Sequence, residues 1–471
     1  MTTESYTAVL DHFSEYAMAV ESKDYPKTDF TQMQFRGHID HRAIAEAYDV
    51  AIREIPVFNC NLTEKHRGLF YLPVWVFNNE VPNRLVIEDC RHMATLPGQP
   101  FEPMEFSTRF HAERTRRRID VRREFPFRCF LVRVADDQYI FSIVFHHSVM
   151  DPAKAYRLVT RMLEGYHERV KGSRPEWAES LGMAALVRKE GFVKPIRLGR
   201  FAREQVYDVL VKNPEKSIAN IRTRRILPVA EHMGRISIRY VLDDPKLLAG
   251  LTERARRNEA TVNDLIFACA RRVISRWNLE RGETVDKFRF MLITSLTGRM
   301  PLGDNTGAGL AGLNFVSGGH KDADLDALIR YFRDVRKDQL GRGIDVQFYN
   351  TLRHIVQTTR VLPLEKRLAL VRRIIERIGC TFYLSNLGTV WPRIENGRQT
   401  MDSVILGAGD FVIDDIHSSA SISRTLGLGL TTRVHNRRFY MNYVCDRFRF
   451  EEEEARELTD RVTNAFIESA V

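Results

Sequence analysis

The chain has 471 residues, long for one domain, and its 44% hydrophobic and 28% charged residues are too apolar a mix for disorder. Lys and Arg outnumber Asp and Glu to give a net charge of +10, which favours anionic partners: a phosphorylated cofactor, an acidic protein, nucleic acid or an anionic membrane. No apolar run reaches the roughly 20 residues that span a bilayer, and the acid-bearing start MTTESYTAVLDHFSEYAMAVESKDYP lacks the build of a signal peptide.

In chain order, FRGHIDHRAIAEAYDVAIREIP reads as the end of a strand and then a helix. Asp40 is its N-cap, Ile44, Ala47, Tyr48, Ala51 and Ile55 share one face, and Pro56 stops it. FRCFLVRVADDQYIFSIVFHH reads as a hairpin turning at Ala135 to Gln138. DPAKAYRLVTRMLEGYHERVKG follows as a helix with Asp151 at the N-cap and Pro152 in the first turn. The stretch 173–230 turns basic amid short helical patterns; it reads as a solvated crossover between two halves, with an anion-binding surface as the alternative.

The second half repeats the mixture. ATVNDLIFACARRVISRW is a helix, KFRFMLITSLTGR a strand and TFYLSNLGTV a strand with a turn. LGLGLTTRVHNRRFYMNYVCD is a hairpin turning near Asn436 and Arg437. The last helix carries acids at its start and a stripe of Ala455, Leu458, Val462, Ala465 and Phe466. Such alternation makes the chain α/β, or α+β, in layers. Six scattered cysteines (Cys60, Cys90, Cys129, Cys269, Cys380, Cys445) show no metal-ligand spacing and read as reduced, buried thiols of a cytoplasmic protein.

YIFSIVFHHSVMDP ends an apolar strand on His146 and His147, with Asp151 just beyond. Neighbouring strand side chains point to opposite faces, so one ring packs inside while the other is free to enter a site. This argues against a shared metal, and no nearby carboxylate or cysteine completes a ligand set. Two core histidines with a capping aspartate is the plain structural alternative. A pair at a strand-to-helix junction, followed by an aspartate, points instead to chemistry.

HHSVMDP resembles the HHxxxDG motif of the condensation-domain and chloramphenicol acetyltransferase superfamily of acyltransferases, which includes wax ester synthases and stand-alone alcohol acyltransferases. FRGHIDHRAIAEAYDVAIREIPVF, FPFRCFLVRVADDQYIFSIVFHH, ATVNDLIFACARRVI and YLSNLGTV are similar to that family's segments in the same order. The resemblance implies an α/β fold of two chloramphenicol acetyltransferase-like subdomains set as a V around a central channel. They would be an N-terminal subdomain (1–172), the crossover (173–230) and a C-terminal subdomain (231–471). It also implies His147 as general base at the channel centre, His146 as structural, and Asp151 as a loop-holding residue paired with an arginine.

Two departures stand out. Pro152 replaces the motif glycine, which fits only if Asp151 caps the helix directly. The position of the family's arginine corresponds to Asn59, which leaves Arg128, another arginine or backbone amides to hold Asp151. In the second half Asn263 serves either helix geometry or substrate, while Ser385 and Asn386 form either a plain turn or an oxyanion contact. The cluster of Arg114, Arg116, Arg117, Arg118, Arg122 and Arg123 is either a solvated face or a phosphate contact. TGRMPLGDNTGAG lacks the lysine and helix of a phosphate loop.

The expected function is that of an acyltransferase. It moves an acyl group from coenzyme A or a carrier-protein thioester to a hydroxyl, or in second place an amine, with no bound cofactor or metal. A free-standing peptide condensation protein, or a degenerate non-catalytic member that docks carrier proteins, is the alternative. Expected partners are a small-molecule acceptor and acyl-CoA or an acidic carrier protein, with peripheral membrane contact allowed. Nucleic acid is not expected, since no recognition module accompanies the charge.

Overall fold

A computed structural model describes residues 7–10, 12–22, 24–54, 56–77, 84–94, 118–178, 235–283, 287–295, 310–317, 324–346, 355–375, 380–395, 398–403, 407–424 and 426–470. The chain begins with strand β1 (Thr7–Val9), helix α1 (His12–Ala19) and the long strand β2 (Thr28–His38). Helix α2 (His41–Glu54) starts where expected: the Asp40 carboxylate accepts the Arg42 and Ala43 N–H groups at 2.9 and 3.0 Å. A hairpin of β3 (Cys60–Arg67) and β4 (Phe70–Phe77) follows, then β5 (Val86–Asp89), β6 (Phe127–Ala135) and β7 (Gln138–His146). Helix α3 (Pro152–Lys171) leaves β7 across the histidine loop.

The later part runs β8 (Arg235–Leu242), helices α4 (Pro245–Arg257) and α5 (Val262–Glu280), then β9 (Phe288–Ser295) and β10 (Leu310–Ser317). Helices α6 (Leu325–Gly341) and α7 (Leu364–Ile375) come next. They are followed by β11 (Cys380–Thr389), β12 (Pro392–Glu395), β13 (Arg398–Ser403), β14 (Gly407–Ala408) and β15 (Asp410–Ser419). The hairpin of β16 (Leu426–His435) and β17 (Arg438–Asp446) leads into the final helix α8 (Glu452–Glu468). Its turn residues Asn436 and Arg437 have φ of 49° and 61°, the left-handed pair that a tight hairpin turn requires.

Two six-stranded sheets organise the molecule, ordered β14-β15-β2-β7-β6-β5 and β10-β9-β11-β16-β17-β8. Each has its own buried apolar core, the second built on Phe267, Phe290, Phe315, Phe332 and Phe382. Each also contains a hairpin whose second strand runs through a short loop into a long helix. In the first, β7 ends at His146 and Asp151 is the N-cap of α3; in the second, β17 ends at Asp446 and Glu451 is the N-cap of α8. The expected α/β class with two related halves is therefore what the fold shows.

One exchange departs from chain order. β15 lies far along the sequence yet pairs antiparallel with β2 in the first sheet, Phe30 opposite Ser419 and Gly37 opposite Phe411. Gly37 has φ of 128°, and a Cβ there would stand 2.1 Å from the Asp410 carbonyl, so only glycine permits the approach. Within the range 231–471 the segment 407–419 thus belongs spatially with the first sheet. Most of the basic crossover, from 179 on, lies outside the described residues. All six cysteines are free and buried. Among the described residues no helix is long and apolar enough to cross a membrane.

Candidate active site

The site grows from the end of β7. Residues Ile140 to Phe145, all apolar but Ser142, are buried, which fixes the strand and delivers His146 at its end and His147 just past it. The His146 ring is 0% exposed; the His147 side chain is 20% exposed. His146 closes the strand facing inward, and His147 lies in the turn just past it, its N–H bonded to the Lys27 carbonyl.

The two rings carry their protons on opposite nitrogens. The Ser148 N–H donates to His146 Nδ1 at 3.1 Å and the Ser148 hydroxyl sits 2.7 Å from the same atom. The proton of His146 therefore belongs on Nε2, which faces Glu21 Oε1 at 3.4 Å. Around His147 Nδ1 stand two acceptors, the Met150 carbonyl at 3.1 Å and Asp29 Oδ2 at 3.6 Å. Nδ1 must hold the proton, so Nε2 keeps its lone pair, with no protein partner among the described residues.

Helix α1 seals one side of the loop. The Phe13 ring meets the His147 ring edge-on, 5.6 Å between centroids at 84°, and the Ser14 hydroxyl donates to the Ser148 carbonyl. The helix is anchored by arginines from much later in the chain. Arg360 and Arg367 pair with the buried Glu15 at 3.1 and 3.0 Å, and Arg372 donates to the Ala19 carbonyl at 2.8 Å. Burial pushes the Glu21 carboxyl up, but His146 and Arg118 outweigh it and bring the group down to about 2.

Asp151 is the N-cap of α3, accepting the Lys154 N–H at 2.8 Å, with Pro152 in the first turn behind it. Among the described residues its carboxylate partner is this backbone amide, and Arg128 is paired with Glu124 instead. Asn59 is buried in a short 3₁₀ turn. Of the arginine cluster, Arg118 holds Glu21 at 2.6 Å, Arg122 pairs with Glu365, and Arg123 lies 3.7 Å from Asp120. Arg114, Arg116 and Arg117 lie outside the described residues, as does 297–309.

The second sheet reaches the same place through Arg235, at the start of β8. Its guanidinium donates to the Thr28 and Ala420 carbonyls at 3.1 and 3.3 Å and lies 3.6 Å from Asp29 Oδ1. Lys27, whose carbonyl accepts the His147 N–H at 2.8 Å, sends its ammonium to the Ile422 carbonyl at 3.2 Å. Burial lowers that ammonium to about 8, against the pull of Asp29 and Glu21. The Tyr383 hydroxyl donates to the Ser421 carbonyl at 3.3 Å, and burial raises it.

Asn263 and Asn386 come together. The Asn386 amide donates to Asn263 Oδ1 at 2.6 Å, and Asn386 Oδ1 accepts the Gly388 N–H at 2.8 Å. This ties the first turn of α5 to the end of β11. Ser385 precedes on the same strand and points to the opposite face. No described contact joins these three to His147. Among the described residues no cluster of His, Cys, Asp and Glu is disposed to hold a metal.

Sequence reasoning missed Asp29, Arg235, Phe13 and Glu21. A signal existed for Asp29: β2 begins nearer the N-terminus than the pattern suggested, and it places an acid inside a sheet buried on both faces, where charges rarely sit unpaired. Arg235 left no signal, because its partner is brought to it only by the meeting of the two sheets.

Comparison with known proteins gives one consistent shape. No family model matches the chain. The first condensation domain of the calcium-dependent antibiotic synthetase, in complex with a substrate analogue, superposes with a TM-score of 0.70 at 12% identity over 99% of this chain and 97% of that one. The chain has the condensation-domain fold. A variant starter condensation domain of rhizomide synthetase, in complex with C8-CoA and Leu-SNAC, gives 0.66 at 12% identity, covering 99% and 95%. Polyketide synthase associated protein 5 from Mycobacterium tuberculosis gives 0.61 at 16% identity, covering 99% of each. In sequence, isonitrile lipopeptide synthase of Mycobacterium tuberculosis (strain ATCC 25618 / H37Rv) is 26% identical over 148 residues, 31% of this chain. The matched stretch spans 5% of that protein's length.

Proposed function

We propose that this chain is an acyltransferase that moves an acyl group from a thioester of coenzyme A or a carrier protein to a hydroxyl, with His147 as general base. One observation carries the reading. Both neighbours of His147 Nδ1 are acceptors, which leaves Nε2 unprotonated and without a protein partner among the described residues. As the acceptor oxygen bonds to the thioester carbonyl carbon, its proton passes to Nε2. When the C–S bond breaks, that proton goes to the departing thiolate. Such general-base help is worth about 10²–10⁴-fold, and the reaction needs no covalent enzyme intermediate.

His146 and Asp151 act in this reading as supports, one locked to Glu21 and the other capping α3. Ser385 and Asn386 on β11 and Asn263 on α5, the last two bonded to each other, supply contacts to substrate or the developing oxyanion in this reading. The net charge of +10 suits the phosphates of coenzyme A or an acidic carrier protein, and allows peripheral contact with an anionic membrane. A cytoplasmic setting fits the six free thiols. The likeness to condensation domains supports a second reading, in which the acceptor is an amine and the product an amide.

The test is free-thiol release from a panel of acyl-CoA and acyl-carrier-protein thioesters, with and without alcohol and amine acceptors. Release that depends on an alcohol supports the proposal, and dependence on an amine selects the second reading. No acceptor-dependent release across the panel would leave a carrier-docking protein without catalysis.

A further inference from the structure

The charged pair between the two sheets has no place in the motif, yet it sits against the ring that the motif presents. We propose that Asp29 is a positioning residue for His147 and that Arg235 tempers it, the two together setting how readily the ring takes up a proton. This rests on the reading of His147 as the general base.

The placement is enforced from both sides. Asp29 lies on β2 opposite Phe145 of β7, so the strand pairing sets it beside the residue that ends the sheet. Its Oδ2 is 3.6 Å from His147 Nδ1 and its Oδ1 is 3.6 Å from the Arg235 guanidinium. The Asp29 side chain is 5% exposed and that of Arg235 8%, so water screens neither charge well. Arg235 is held by two carbonyls, Thr28 and Ala420, and cannot swing away without breaking both bonds.

The consequence is electrostatic. When Nε2 accepts the acceptor's proton, the positive charge spreads to Nδ1, which faces Asp29, and an anion at this distance stabilises it. The Nδ1 proton stays on the ring between Met150 and Asp29; none is transferred to the carboxylate. Arg235 on the other carboxylate oxygen draws part of that field away and opposes the ring's charge directly. Other charged and titratable groups described around the loop are Asp151 at its end, Lys27 just before β2, Glu21 and Arg118 against His146, and Tyr383 on β11. Among the described residues, the contacts of the His147 ring are with Met150, Asp29 and Phe13 and with none of these.

A pair that merely clamps the sheets together behaves differently. Removing either partner of a clamp costs stability in the same direction and leaves the ring's titration where it was. A tuning pair moves that titration in opposite directions. Full-length protein carrying ¹³C-labelled histidine gives the readout, with the His147 signal assigned from its loss in His147→Gln. The ring's titration midpoint is expected to fall in Asp29→Asn and to rise in Arg235→Gln, while Asp29→Glu stays near the parent. The acid limb of the thiol-release profile should follow the same signs, with kcat affected more than KM. If Asp29→Asn fails to fold, Arg235→Gln and the double variant, which leaves no buried charge unpaired, carry the comparison.

Midpoints that do not move, or that move the same way in both single variants, overturn the proposal. The titration reads the ring whether or not the protein turns over. Opposite shifts together with a fully active His147→Ala would sink the general-base reading alone, and an inactive His147→Ala with unmoved midpoints would sink only the role of Asp29.

Discussion

His146 and His147 are neighbours in sequence and opposites in protonation: Ser148 N–H at 3.1 Å makes His146 Nδ1 an acceptor, while the Met150 carbonyl at 3.1 Å makes His147 Nδ1 a donor. One ring is thereby committed to the interior through Glu21, and the other presents a lone pair. The loop of 146–151 does this with backbone groups and one serine.

His146→Ala should cost about 1–3 kcal/mol of stability, because it opens a cavity and takes one partner from the buried Glu21 carboxylate, which keeps Arg118. Chemical denaturation measures it. Glu21→Gln should lose a similar amount, and the double variant should lose less than the sum, since the two residues share one contact at 3.4 Å.

Asp151→Ala should cost about 0.5–2 kcal/mol through loss of the cap on Lys154 N–H, whereas Asp151→Asn should keep most of it because asparagine also caps. Thermal melts of the two variants separate these outcomes. Equal losses in both would point to a charge partner for Asp151 beyond the backbone.

Stability should fall on mild acidification, through His435. Burial first, and then Arg433, push this ring down to about 4 from an ordinary 6.5. Between those values the unfolded chain binds the proton and the native protein does not, so stability drops as pH falls from about 6.5 and levels near 4, by roughly 3 kcal/mol in all. Glu21, held at about 2, extends the loss below 4.5 as its carboxylate is neutralised. Denaturation midpoints across this range, for the parent and His435→Gln, give the check. The variant should lose most of the slope between 6.5 and 4, a smaller part remaining from His41, which burial also lowers.

Gly429→Ala should be destabilising by about 1–3 kcal/mol, the usual cost of overpacking. β11 and β16 run parallel with Tyr383 beside Gly429, and a Cβ at Gly429 would stand 2.1 Å from the phenol ring. Because Tyr383 closes on Ser421 next to Lys27, the same change should also lower acyl transfer. A melting temperature equal to the parent would show that the ring has room to move.

Much of this was legible in the sequence. The hairpin of β6 and β7 turns at the expected residues, Asn436 and Arg437 make the second turn, and the helix read in ATVNDLIFACARRVISRW is α5. These are local patterns: strand alternation, turn residues and caps act within a few positions of each other. The placement of β15 beside β2 was not legible, since its residues suit a strand in either sheet and its partner lies far away in the chain. Nor were Asp29 and Arg235, whose meeting depends on how the two sheets face. Of the partners left open for Asp151, the backbone amide of Lys154 is the one described, and Arg128 pairs with Glu124 instead.

The most direct measurement is thiol release by His147→Ala beside the parent protein, with melts of both. General-base catalysis predicts a loss of about 10²–10⁴-fold in acceptor-dependent release. The melting temperature should stay nearly unchanged, since the His147 side chain is 20% exposed and the buried Asp29 keeps Arg235 as a partner. A folded His147→Ala that releases thiol at the parent rate would contradict catalysis at this histidine.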